Sequence, residues 1–126
     1  AGGKRPRSSM SPSIVLDSDS EFLLATGSPG GNNIIAYTVK TLVGVFEWGM
    51  SPQAAVDLPN MVARGATVRL EKDLAPIALI DGMRELGFDV DASRGENSGL
   101  SVIKRKADGT LEGAADKRRE GVIGEL

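Results

Sequence analysis

The chain has 126 residues, 40% hydrophobic and 25% charged, enough for one folded unit with its own core. Lys and Arg number 15 against 17 Asp and Glu, a net charge of -2, which argues against a dedicated nucleic-acid binder. No apolar run approaches the ~20 residues of a helical membrane span. Cysteine and histidine are both absent, so the chain itself holds no disulfide, thiolate zinc site, thiol nucleophile, Ser-His-Asp triad or His-ligated metal. No cofactor is expected.

Residues 1–12 read as loop. The opening "AGGKRPRSSM" is basic but lacks the apolar stretch of a signal peptide, and it reads as a chain entered mid-course, a fragment of something longer. Ser13 to Leu16 is a short apolar run after Pro12, a strand. The polar "DSDSE" turns the chain, and Phe22 to Thr26 returns as a second strand, making a hairpin. After Gly31 the period changes. Ile35, Thr38, Val39, Leu42, Val43, Phe46 and Met50 recur at steps of three and four, the stripe of an amphipathic helix, which Ile34 and Val45 widen. Gly44 marks close packing, and Gly49 a C-terminal stop.

Ser51 can cap a second helix that starts at Pro52 and runs to about Leu58. Thr67 to Lys72 alternates as a strand. Leu74 to Leu86 is helical, stopped by Gly87, and "GFDVD" forms another short strand. Leu100 to Lys106, an Asp108-Gly109 turn and Leu111 to Ala115 form a hairpin. The order ββααβαβββ predicts a single α+β domain over 1–126, an antiparallel sheet covered by helices.

Few stretches suit chemistry. "SPGG", Ser28 to Gly31, lies where a strand gives way to a helix. Unpaired backbone N–H groups there favour an anion, either a phosphate or a developing oxyanion, and glycines let a ligand approach closely. A plain tight turn explains the same residues. A P-loop does not, because Asn32-Asn33 stands where Lys is needed. Ser8 and Ser9 put two hydroxyls beside a basic loop, able to donate to a carboxylate, or simply to form a polar turn. "DSDSE" imitates the start of a calcium loop, but Phe22 and Ser28 occupy the positions that require Gly and Glu. The basic clusters "IKRK" and "DKRRE" read as solvated faces with no nucleic-acid role.

Four motifs, "KRPRSSMSP", "LATGSPGG", "WGMSPQAAVDLPN" and "GAADKRREG", resemble the C-terminal part of the gamma-glutamyltranspeptidase small subunit nearly end to end. The resemblance implies an N-terminal-nucleophile hydrolase fold, a four-layer αββα sandwich. It also implies a self-cleaving precursor whose freed Thr attacks glutathione or a related amide, with water or an amine or peptide releasing the acyl group. On that resemblance Gly30 and Gly31 are the catalytic oxyanion donors, and Ser8 and Ser9 bind the α-carboxylate of the gamma-glutamyl group.

The implied partners are the gamma-glutamyl substrate, a large subunit and the rest of the small subunit, with self-association of the fragment through uncovered apolar faces. By resemblance to bacterial relatives the protein is expected in the periplasm or outside the cell, with the cytoplasm as the alternative. The threonines here are all internal, so the nucleophile is expected outside this chain, which alone should not catalyse. Asn32-Asn33 replaces the family's usual Ser-Arg, and Lys117 its usual Pro. An acylase or poly-gamma-glutamate depolymerase relative, or a non-catalytic anion-binding module, are the alternatives.

Overall fold

A computed structural model describes residues 2–124. The first hairpin forms as expected: β1 (Ser13–Leu16) pairs antiparallel with β2 (Phe22–Gly27). Its turn is closed by a side chain. The Asp17 carboxylate accepts the N–H groups of Glu21 at 2.9 Å and Asp19 at 3.0 Å, and Arg105 pairs with it from across the sheet. The Glu21 N–H above all, then Asp19 and Arg105, hold the Asp17 carboxyl below the usual carboxylate range.

Strand β2 also pairs with a strand far downstream. The second hairpin supplies β6 (Ser101–Arg105) and β7 (Leu111–Ala115), giving an antiparallel sheet in the order β1-β2-β6-β7. Residues in a strand alternate between faces. Leu24, Thr26, Val102 and Ala114 lie on the buried face, beneath α1 (Ile34–Phe46) and α2 (Pro52–Asp57). The other face carries Ile14, Leu16, Ile103 and Leu111, all largely exposed.

Helix α2 starts as its sequence dictates. Pro52 opens the first turn, and Ser51 Oγ accepts the Ala54 N–H at 3.2 Å. It packs so closely on α1 that a Cβ on Gly44 would lie 2.9 Å from Ala55 Cβ.

The buried face of α1 differs from the expected stripe. Ile35, Val39 and Phe46 are exposed, whereas Ile34, Tyr37, Thr38, Thr41, Gly44 and Val45 are buried. Apolar residues line this helix on several sides, so periodicity alone cannot choose between faces. The helix also ends at Phe46, three residues before Gly49, which turns at φ 64°.

A strand absent from the sequence reading, β3 (Met61–Arg64), pairs antiparallel with β4 (Thr67–Leu70). Helix α3 (Ile77–Glu85), shorter than expected because Pro76 sits at its cap, then leads into β5 (Asp89–Asp91), which joins β4 in parallel. This three-stranded sheet, β3-β4-β5, sits beside the helical layer, with β3 against α1. Among the described residues no helix is long and apolar enough to cross a membrane.

The "DKRRE" cluster is a solvated face only in part: Lys117, Arg119 and Glu120 are exposed, whereas Asp116 and Arg118 turn inward. The Arg118 side chain keeps only 12% exposure. Its Nε and Nη2 donate to the two oxygens of Glu71 at 2.6 and 2.8 Å. Its Nη1 donates to Asp116 Oδ1 at 3.1 Å and to the Val56 carbonyl, and Nη2 also reaches the Leu58 carbonyl. Lys40 donates to the same two carbonyls, at 3.1 and 2.8 Å. Burial, with Arg118 nearby, pushes the Lys40 ammonium down to about 8. A guanidinium serving five acceptor oxygens is a structural bolt, and it joins α2, the end of β4 and the chain after β7.

Candidate functional site

The "SPGG" turn begins where β2 ends. Gly30 has φ 145° and Gly31 φ 61°, backbone conformations that only glycine adopts without strain. Space matters as well at Gly30: a Cβ there would lie 2.5 Å from Tyr37 Cε2. A single 3-10 turn, Gly31–Asn33, follows and runs into α1. The Gly30 carbonyl accepts the Asn33 N–H at 3.1 Å, and the Gly31 carbonyl accepts the Ser9 N–H at 2.9 Å. Among the described residues, the N–H groups of Gly30 and Gly31 have no partner. The turn therefore uses its carbonyls for its own architecture and leaves two adjacent donors free at the start of a helix, where the dipole favours negative charge.

The Ser9-to-Gly31 hydrogen bond brings the two sequence-predicted pairs together. Ser8 is exposed and Ser9 half-buried, and among the described residues neither hydroxyl makes a hydrogen bond. Asn32 fastens the same junction. With its amide turned to suit both neighbours, it donates to the Arg7 carbonyl and accepts from Arg64 Nη1 at 3.1 Å. Arg64 closes β3, so a cation from the second sheet stands beside the serine loop.

A carboxylate missing from the sequence reading lies next to the turn. Glu96 Oε2 accepts from Asn33 Nδ2 at 3.1 Å and from the Tyr37 hydroxyl, and Oε1 pairs with Arg69 Nη2 at 3.5 Å. Its side chain is 8% exposed. Burial first, and the bond to Glu96 second, push the Tyr37 hydroxyl up to about 12. It therefore stays protonated and remains the donor.

Three residues further on, Gly99 N–H donates to Ser28 Oγ at 3.0 Å, and a Cβ on Gly99 would lie 2.9 Å from Pro29 Cγ. Between them, Ser98 Oγ donates to Asp116 Oδ2 at 2.5 Å, and Arg119 Nε donates to the Asn97 carbonyl at 3.1 Å. Burial opposes ionisation of Asp116, but hydrogen bonds from Ser98 and Arg118 outweigh it and hold its carboxyl below the usual range.

The sequence pattern of the Gamma-glutamyltranspeptidase family matches residues 1–126. The chain belongs to that family. It is 31% identical over 119 residues to the glutathione hydrolase proenzyme of Bacillus subtilis strain 168, covering 94% of this chain and 20% of that protein. It is 32% identical over 121 residues to the acylase ACY 1 proenzyme of Pseudomonas sp. strain SE83, covering 96% of this chain and 21% of that one.

The fold superposes on a crystal structure of Helicobacter pylori gamma-glutamyltranspeptidase with a TM-score of 0.81 and 29% identity, over 94% of this chain and 65% of that chain. The expected α+β class therefore holds, and the antiparallel sheet with its helices is part of the N-terminal-nucleophile hydrolase architecture of the gamma-glutamyltranspeptidases. The chain spans about a fifth of the length of the two sequence relatives.

Membership of the gamma-glutamyltranspeptidase family does not by itself explain Tyr37 and Glu96. Tyr37 is the one tyrosine of the chain, three positions into the helix after the turn, and that was its only signal. Glu96 lies in "SRGENSG", a polar segment with no periodicity to mark it.

Proposed function

We propose that the complete protein transfers a gamma-glutamyl group from glutathione or a related amide to water or to an amine or peptide acceptor, through an acyl-enzyme. In this reading Gly30 and Gly31 direct their N–H groups at the oxygen of the scissile carbonyl. As a nucleophile adds, that oxygen gains negative charge, and donors already fixed in place stabilise it at no further reorganisation cost. The Ser8 and Ser9 hydroxyls donate to the α-carboxylate of the gamma-glutamyl group. The nucleophile and its base come from the rest of the protein, as do a large subunit and the remaining substrate contacts.

One observation carries the reading: the Ser9 N–H to Gly31 carbonyl bond, which holds two hydroxyls beside two backbone donors, all four without a partner among the described residues. An amino acid acyl donor needs both, one pair for its carboxylate and one for its reacting carbonyl. Family membership and the glutathione hydrolase relative support the substrate class.

The similarity to an acylase proenzyme supports a second reading, in which the glycine turn is kept but the acyl donor has no α-carboxylate. An assay of the complete protein with gamma-glutamyl-p-nitroanilide, beside a p-nitroanilide whose acyl group lacks the amino acid carboxylate, separates them. Release from the first alone supports the transferase. Release from the second alone overturns it in favour of the acylase.

A further inference from the structure

The two glycines have no side chains with which to pack the turn, yet its donors act only if they hold still. Local sequence cannot supply that rigidity. The two glycines have positive φ, and neither of their N–H groups is tied down among the described residues. Besides the Ser9 N–H and Asn32, one distant segment, residues 96–99, grips the turn. It meets the turn on both flanks: Gly99 N–H holds Ser28 Oγ, 71 residues away in sequence, and Glu96 holds Asn33, 63 residues away.

Tyr37 adds a third point. Its ring fills the space that the missing Cβ of Gly30 leaves, and its hydroxyl ends on Glu96. The segment is itself immobilised, through Ser98 on Asp116 and Asn97 on Arg119. Glu96 is also neutralised from the second sheet by Arg69, so its buried charge is matched.

We infer that Glu96, acting through Asn33 and the Tyr37 ring, is a positioning residue that fixes the Gly30 and Gly31 N–H groups for catalysis. This inference rests on the transferase reading above. It assigns Glu96 no contact with substrate. Its effect falls on the transition state, because donors displaced by a fraction of an ångström still admit substrate but no longer meet the oxyanion.

The test is steady-state kinetics of the complete protein on gamma-glutamyl-p-nitroanilide for the unaltered enzyme, Glu96→Gln, Tyr37→Phe and the double variant. Gln keeps the size of Glu96 but loses its charge, and Phe keeps the ring that backs Gly30. For each single variant kcat should fall about 10- to 100-fold while KM stays within about threefold, the signature of an interaction realised in the transition state. The double variant should lose at most about twofold more than the worse single one, because both act through one contact. A folded Glu96→Gln or Tyr37→Phe enzyme with kcat within about twofold of normal overturns the inference. So does a rise in KM with kcat unchanged. Should Glu96→Gln fail to mature, Tyr37→Phe decides alone, since it removes only one oxygen. An unaltered protein that releases no p-nitroaniline instead overturns the transferase reading, and the positioning role with it.

Discussion

The backbone N–H of Ser9 donates to the carbonyl of Gly31 at 2.9 Å. That bond sets the spacing between the serine hydroxyls and the glycine N–H groups by main chain alone, so side-chain changes at the serines leave it intact. Replacing both Ser8 and Ser9 by Ala in the complete protein should therefore weaken donor binding without moving the glycine turn. Hydrogen bonds to a charged group contribute about 1.5–3 kcal/mol each, so KM for gamma-glutamyl-p-nitroanilide should rise at least about tenfold. An unchanged KM removes the serines from the carboxylate.

The two glycines should respond differently to the same substitution. Gly31→Ala meets no atom within 4 Å and suffers only its positive φ, a cost of about 1–3 kcal/mol. Gly30→Ala suffers both the φ of 145° and a Cβ driven into the Tyr37 ring. Thermal melts of the complete protein should rank Gly30→Ala below Gly31→Ala, with kcat falling further in the first. Gly30→Pro is no clean removal of one donor, because proline requires φ near -65° and unmakes the turn. Equal melting temperatures for the two alanine variants contradict the packing described at Tyr37.

Within the closing motif, neighbouring cations should differ widely in worth. Arg118→Met strands Glu71 and Asp116, whose side chains are 4% and 0% exposed, and breaking a buried pair in this way costs about 3–5 kcal/mol. Lys117 is 80% exposed and reaches Asp57 at 3.3 Å. Lys117→Ala should cost under about 1 kcal/mol. Urea unfolding midpoints of the two variants provide the check, and similar losses would falsify the bolt.

Stability should depend on pH through two groups of opposite sign. The Lys40 ammonium titrates near 8 in the fold, below its usual 10.5. Its charged form is penalised in full below pH 8, and the penalty is relieved as pH rises towards 10.5, because there the unfolded chain binds more protons. The Tyr37 hydroxyl is pushed from 10.0 up to about 12. Its contribution is complete below pH 10 and is lost between 10 and 12. Unfolding free energy should thus climb between pH 8 and 10, by on the order of 2 kcal/mol, and fall above. Lys40→Met should flatten the climb, and a climb that survives the substitution points to another group.

What sequence reveals here depends on how local the cause is. The hairpins β1-β2 and β6-β7 were legible because short apolar runs and the turns between them, polar in the first and Asp-Gly in the second, lie side by side in the chain. So was the glycine turn, whose oddity is carried by its own residues. Strand β3 was not: Met61 to Arg64 buries only Val62, which leaves no alternation to read. The inward face of α1 was hidden by Ile35, Val39 and Phe46, which look like core and are exposed. Glu96 was invisible for a different reason. Its meaning comes from Asn33, Tyr37 and Arg69, none of which is near it in sequence. Arg118 sits in a charged run that reads as surface until Glu71 and Asp116 are seen to close around it.

The grip of residues 96–99 on the turn sets an order of events during synthesis. Ser28 to Gly31 leave the ribosome directly after the first hairpin, but the groups of residues 96–99 that hold them are made 63 to 71 residues later. Strand β6, which closes the sheet beside β2, comes later still. Joining ends so far apart along the chain must wait until the intervening helices and second sheet are made and compact. A nascent chain interrupted before Glu96 holds both glycines and both serines yet has no rigid turn. The glycine turn thus gains its full set of supports only once synthesis has passed Arg119, which anchors the gripping segment.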